Sequence, residues 1–180
     1  MRLPPSRISD LDTKDGGPWQ GKLTVPPDGL CMLYSWLAAQ GPQHWARIPR
    51  TPSGFIADLA VERLLVDEAR KHLAIICSRA REDGHEEVAI HLERGGHPGD
   101  EELNQYAAYF GCAILVVPVN QPFACPMIYG FGPVGFVVQH TMTKPDEDGH
   151  SSGHFVLLHS WIGGDICPIA ELESALDQIL

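Results

Sequence analysis

The stretch DGLCMLYSWLAAQ, residues 28–40, joins a turn sequence to a run of helix-forming and apolar residues. Gly41 and Pro42 follow it directly and would stop a helix, so the pattern predicts a buried helix over residues 31–40. Cys31 is the first residue of that helix. Gly29 can adopt backbone angles closed to other residues, which would let the preceding turn aim several amide groups at one point.

Further helices are predicted between this stretch and the middle of the chain. Apolar residues recur at spacings of three and four over residues 56–76, which indicates one long helix or two abutting ones. Residues 86–93 add another turn or two. Residues 100–110 form a helix that begins with three acidic residues, a favourable charge at the positive end of the helix dipole, and Gly111 ends it.

The second half of the chain changes to the pattern of strands. Residues 113–119, 135–139 and 154–159 are short runs rich in β-branched and aromatic residues, and residues 141–153 between the last two read as a surface loop. Residues 169–180 form a closing amphipathic helix. The fold class is therefore α/β (α+β), with a small central sheet flanked by helices. Residues 1–22 are an N-terminal arm, and residues 23–180 are a single domain that opens with a strand-like segment at 23–25.

Composition narrows the classes of protein that this chain can be. Its 180 residues, 44% of them hydrophobic, suffice for one substantial core. Without a long apolar run or a secretory signal at the start, we expect an intracellular, cytoplasmic protein that does not enter a membrane. A net charge of -10 disfavours nucleic acid as a partner and favours a basic one. The five scattered cysteines suggest neither disulfides nor a metal site, and no cofactor is expected.

Cys31 is the candidate nucleophile, because the N-terminus of a helix stabilises a thiolate. The backbone amides of Gly29, Leu30 and Cys31 would then form an oxyanion hole beside it. The alternative interpretation is that Cys31 is a small buried hydrophobic residue at the start of a helix, which is the commoner role of a free cysteine.

A base for this nucleophile must be chosen among nine histidines. His154 is favoured, because it lies where a glycine-containing loop meets an apolar strand and a side chain there can be held rigidly beside a cleft. Other histidines have simpler structural interpretations. His72, His85 and His91 would face solvent in helices, His44 and His97 would lie in a loop or turn, and His140 and His159 would lie within or beside a strand. A metal protein built on His140, His150, His154 and His159 near Cys167 is a further alternative, although these spacings match no familiar zinc pattern.

Three blocks in this order resemble the OTU (ovarian tumour) family of cysteine proteases. They are DGLCMLY at 28–34, then GDEELNQYA at 99–107 followed by ILVV at 114–117, and HFVLL at 154–158. Together they span residues 28 to about 161. The resemblance implies a papain-type cysteine protease fold and a deubiquitinase that acts on ubiquitin or a ubiquitin-like protein, cleaving the isopeptide or peptide bond after its C-terminal Gly.

The resemblance also implies the roles of residues. Cys31 is the nucleophile, His154 the base, and Asp28 the acidic residue of the nucleophile turn. Many members carry Asp or Asn two residues after the histidine, where this chain has Val156, whose side chain accepts no hydrogen bond. The acceptor for His154 is then Asp28, another acidic residue (Asp10, Asp12 or Asp165), a backbone carbonyl or water. The alternative function is a catalytically weak or inactive ubiquitin-binding scaffold that keeps the fold.

Overall fold

The computed structural model describes residues 21–23, 29–40, 59–119, 121, 124–142, 147, 153–159 and 166–179. Five helices lie within these ranges: α1 (Cys31–Ala39), α2 (Leu59–Glu82), α3 (Glu86–Glu93), α4 (Asp100–Phe110) and α5 (Ile169–Ile179). Helix α4 ends at Gly111, whose left-handed backbone (φ 64°) lets its amide bond back to Ala107. None of the helices in the described part combines the length and apolarity needed to cross a lipid bilayer.

The strands form one mixed sheet. They are β1 (Gly21–Leu23), β2 (Ala113–Val119), β3 (Met127–Tyr129), β4 (Val134–Met142), β5 (Gly153–His159) and β6 (Cys167–Pro168). The order across the sheet is β1-β5-β4-β2-β3, and the short β6 pairs with the start of β4. Strands β2 and β4 are parallel, whereas β5 runs antiparallel to both of its neighbours. Strand β5 is therefore hydrogen-bonded along both edges.

Alternation along the strands divides the apolar residues between two cores. Successive side chains of a strand point to opposite faces of the sheet. Ile114, Phe136 and Phe155 join the larger core, which the buried faces of α1 to α4 cover. Leu115 and Val137 join a smaller core under Leu172 of α5 on the opposite face. The sheet thus lies between helices on both sides, which confirms the predicted mixed α/β class.

The structure also corrects several predicted boundaries. Thr141 and Met142, predicted in a surface loop, belong to β4 and pair with the first two residues of β5. Strands β3 and β6 have three and two residues, too few to give a periodic signal, and were not predicted. Strand β1 begins at Gly21, two residues before the predicted domain boundary, and residues 24–25 of the predicted strand-like segment lie outside the described residues.

Candidate active site

Cys31 is the first residue of α1, as predicted, and its side chain is only 1% exposed. The backbone around it is fixed by hydrogen bonds: the amide of Tyr34 donates to the carbonyl oxygen of Leu30 at 3.0 Å, and the hydroxyl of Ser35 donates to the carbonyl oxygen of Cys31 at 2.9 Å. The sulfur therefore lies at the N-terminus of a short, buried helix, where the helix dipole favours a negative charge.

The turn before Cys31 requires glycine for a steric reason. A Cβ built on Gly29 would lie 2.8 Å from the carbonyl oxygen and 2.9 Å from the Cα of Gly95, distances that real Cβ atoms do not show. Gly95, in the turn after α3, itself has the left-handed backbone angle φ 76°. The turn that holds the proposed oxyanion amides of Gly29, Leu30 and Cys31 is thus packed directly onto a second, glycine-dependent turn.

Tyr106 of α4 is an electrostatic neighbour of Cys31. Its side chain is completely buried, and its hydroxyl has no hydrogen-bond partner within the described part of the chain. Burial raises the pKa of Tyr106 far above its ordinary value, and the thiols of Cys31 and Cys77 and the carboxylate of Glu102 raise it further. The hydroxyl stays protonated at any physiological pH, so it is a permanent potential hydrogen-bond donor close to the proposed nucleophile.

His154 is the second residue of β5 and is half-buried. It pairs with Thr141 of β4, whose hydroxyl donates to the carbonyl oxygen of His154 at 3.5 Å. The following residue, Phe155, is 1% exposed and belongs to the same core cluster as Cys31, and its side chain alternates with that of His154 between the two faces of the sheet. Because α1 packs against β5, the helix that begins with Cys31 and the strand that carries His154 are direct neighbours.

The acidic member of the predicted triad lies outside the described residues. That is true of Asp28 and equally of the alternatives Asp10, Asp12 and Asp165. Val156, which occupies the position of the missing acceptor, pairs with Gln139 of β4. Which group orients the ring of His154 therefore stays a prediction.

Two further histidines, His97 and His140, form a pair beside the start of β5. The Nε2 atoms of His97 and His140 are 2.8 Å apart, and both rings stack on Phe155 with centroids 4.8 and 4.6 Å away. Burial, and after it the neighbouring His140, His154 and His91, lower the pKa of His97 to about 4, and burial also lowers the pKa of His140. Both rings are neutral at pH 7, so one Nε2–H donates to the other Nε2.

Backbone and amide contacts hold this pair in place. The side-chain amide of Gln121 donates to the carbonyl oxygen of His140 at 2.8 Å, and Nε2 of His91 lies 2.8 Å from the carbonyl oxygen of His97. A Cβ on Gly153, the residue before His154, would overlap the ring of His97. The pair is thus packed onto the backbone that leads into His154.

Sequence analysis missed this pair, since it predicted His97 in a turn and His140 as a bland strand residue. A usable signal was present: GGHPG at residues 95–99, between two helices, is a run in which glycine and proline fix the backbone around one histidine. The prediction that His72 faces solvent was also wrong. Its Nδ1 lies 2.7 Å from the hydroxyl of Tyr109, and its ring packs edge-on against Trp36.

Within the described ranges, no group of three or more His, Cys, Asp or Glu side chains is arranged to hold a metal ion. Of the residues in the metal alternative, His150 and the side chain of His159 lie outside those ranges. A cleft of about 250 Å³ opens beside the nucleophile turn, between Leu30, helix α2 and the end of α3. Leu30, the residue before Cys31, forms part of its wall.

Comparison of this chain with models of protein families, with curated proteins and with solved structures finds no match.

Proposed function

We propose that this chain is an OTU-type cysteine hydrolase, of papain-like arrangement, that cleaves the isopeptide or peptide bond after the C-terminal Gly of ubiquitin or a ubiquitin-like modifier. The observation that carries the proposal is the packing of α1, which begins at Cys31, against β5, which holds His154 at its second position. A thiol at a helix start and an imidazole on the adjoining strand are the elements of thiol catalysis. The substrate class comes from the resemblance of the three sequence blocks.

The first half of the proposed reaction forms a thioester. His154 takes the proton of the Cys31 thiol, and the helix dipole favours the resulting thiolate. The sulfur attacks the carbonyl carbon of the terminal Gly, and the negative charge that passes to the carbonyl oxygen is held by the amides of Gly29, Leu30 and Cys31. His154 then gives its proton to the leaving amine as the carbon–nitrogen bond breaks.

The second half releases the modifier. Water loses a proton to His154 and attacks the thioester carbon, the carbon–sulfur bond breaks, and the thiol of Cys31 is regenerated with the proton that His154 returns. Asp28 is proposed to accept a hydrogen bond from the other ring nitrogen of His154 and so to keep the imidazole facing the sulfur. The cycle needs no metal and no cofactor.

The burial of Cys31 favours a second candidate function. A side chain that is 1% exposed must become accessible before it can react, and Val156 does not replace the missing acceptor. In this alternative the chain is an inactive ubiquitin-binding scaffold, and Cys31 is only a packing group. The two candidates differ in one observable, the reactivity of the Cys31 sulfur.

That reactivity can be measured with a panel of ubiquitin and ubiquitin-like probes whose C-terminal Gly carries a thiol-reactive group. The hydrolase proposal expects a covalent adduct with at least one probe, lost in Cys31→Ala. Cys112→Ala is the matched control, because burial raises the pKa of that thiol to about 11 and it should not react. Non-covalent binding without any adduct would favour the scaffold, and labelling that persists in Cys31→Ala would remove Cys31 as the nucleophile.

A further inference from the structure

The cleft beside the nucleophile turn has a distinct composition. It is lined by Gly29 and Leu30 of the turn, Arg70 and Leu73 of α2, Leu92 and Glu93 of α3, and by Gly95. The three leucines give it apolar walls. Its volume of about 250 Å³ is just below the roughly 300–1,000 Å³ of pockets that hold drug-sized ligands. A short extended segment fits such a space, whereas a folded surface does not.

The two charged residues of the cleft differ in how far their charge is compensated. Glu93 accepts hydrogen bonds at 2.7 Å from both terminal nitrogens of Arg81, and these bonds lower the pKa of its carboxyl group. Its negative charge is therefore paired with a guanidinium outside the cleft, which also donates through its Nε to Glu86 at 3.2 Å. Arg70 is exposed and takes part in no ion pair with the residues that the structure describes. Of the two charged residues that line the cleft, only Arg70 is thus without an ionic partner in the described part of the chain.

An exposed guanidinium above apolar walls selects a particular ligand chemistry. The planar fork of arginine fits a carboxylate through two parallel hydrogen bonds, and the leucines favour an aliphatic side chain next to it. The overall charge of -10 repels anions at long range. Capture of an acidic segment here must therefore depend on the local contact with Arg70 and not on steering by the field of the whole protein.

We propose that this cleft binds a segment of a peptide substrate in which an aliphatic residue is followed by an acidic one, with the carboxylate on Arg70. The assignment rests on the proposed function, because the cleft adjoins the reacting centre only if Cys31 is the nucleophile. Leu30 is shared by the cleft and the nucleophile turn. A segment bound here would hold the neighbouring bond beside the amides of that turn.

Binding can be measured apart from catalysis by nuclear magnetic resonance titration of the full chain carrying Cys31→Ala. The probes are the blocked tetrapeptide Ala-Leu-Glu-Ala and its counterpart with Gln in place of Glu. We expect at least tenfold tighter binding of the Glu peptide, and equal binding of the two peptides after Arg70→Gln. Lys71→Gln is the control, since it removes the same charge from the next residue of α2, which pairs with Glu68 and does not line the cleft.

The proposal is overturned if the protein that retains Arg70 binds both peptides with equal affinity. It is also overturned if the preference for the Glu peptide survives Arg70→Gln. The adduct test on Cys31 is a separate measurement. A preference for the Glu peptide without any adduct would support the cleft as a peptide site and contradict the hydrolase proposal. An adduct without this preference would support the hydrolase proposal and contradict the proposed ligand of the cleft.

Discussion

The backbone of Gly29 lies against the backbone of Gly95, so closely that a methyl group on Gly29 would not fit between them. This contact joins the turn before Cys31 to the turn after α3, two segments more than sixty residues apart in the chain. The proposed oxyanion amides are thus positioned by a tertiary contact as well as by the start of α1.

Gly29→Ala should consequently damage the site. The added methyl group must push the two turns apart, at a cost typical of overpacking, about 1–3 kcal/mol in the free energy of unfolding, and should reduce adduct formation with the reactive probes at least tenfold. Urea denaturation and labelling rates check both effects. Gly99→Ala is the matched control, because its Cβ would meet only the flexible end of Glu102 at 3.2 Å. Unchanged labelling in Gly29→Ala would show that the turn tolerates displacement.

The neutral His97–His140 pair should make the stability of the fold sensitive to acid. Since the folded pKa of His97 is about 4, below its ordinary value of 6.5, the unfolded chain binds more protons between these values. This contribution is complete above pH 6.5 and is lost as the pH falls through 4. Solvent screening of a half-buried pair limits it to about 1–2 kcal/mol.

Urea unfolding at a series of pH values measures this contribution. In His97→Gln the free energy of unfolding should fall less steeply between pH 6.5 and 4 than in the unchanged chain. His85→Gln, which alters an exposed histidine just before α3, should keep the original slope. The groups that act on His97 are His140, His154 and His91, so His140→Gln should also flatten the profile. Parallel profiles for all four proteins would contradict the prediction.

Tyr106→Phe separates two roles of the buried hydroxyl near Cys31. If the hydroxyl only fills space, its removal relieves an unsatisfied polar group and should raise the free energy of unfolding by about 1 kcal/mol. If it supports the thiolate by a hydrogen bond, the same change should raise the pKa of the Cys31 thiol, measured as the pH dependence of alkylation. We expect the second result together with slower labelling. Greater stability with an unchanged alkylation profile would assign Tyr106 to packing.

Asp28→Asn tests the third member of the proposed triad. Loss of the carboxylate should lower probe labelling and weaken alkylation of Cys31 at neutral pH, because the thiolate–imidazolium pair loses its supporting charge. If Asp28 only shapes the turn, Asn can accept the same amide hydrogen bonds and activity should largely survive. If Asp28→Asn keeps nearly the original activity, while deletion of residues 1–20 or Asp165→Ala abolishes it, then another residue is the hydrogen-bond acceptor for His154.

Local patterns were enough to predict most of the fold. Helix α4 was predicted with its bounds, and the strand at residues 113–119 was predicted in full, since in both the period, the breakers and the charges agree. The sheet order, with β5 between β1 and β4, could not be derived, because pairing between distant segments leaves no periodic mark in a sequence.

The candidate site was predictable in part for a similar reason. Cys31 stands at a helix start that its own neighbours specify. The pair of His97 and His140, by contrast, forms only because the fold brings together a turn and a strand that are 43 residues apart in the sequence. The cleft also depends on the approach of α2 to the nucleophile turn, a contact that no local pattern encodes.

The position of β5 in the sheet has a consequence for the making of this protein. Helix α1, whose Met32, Leu33 and Tyr34 are fully buried, must be covered by a strand that is synthesised more than a hundred residues later. At roughly 5–20 residues per second, a nascent chain spends several seconds with Cys31 already outside the ribosome and no partner strand. Translation thus delivers the side chain of Cys31 long before that of His154.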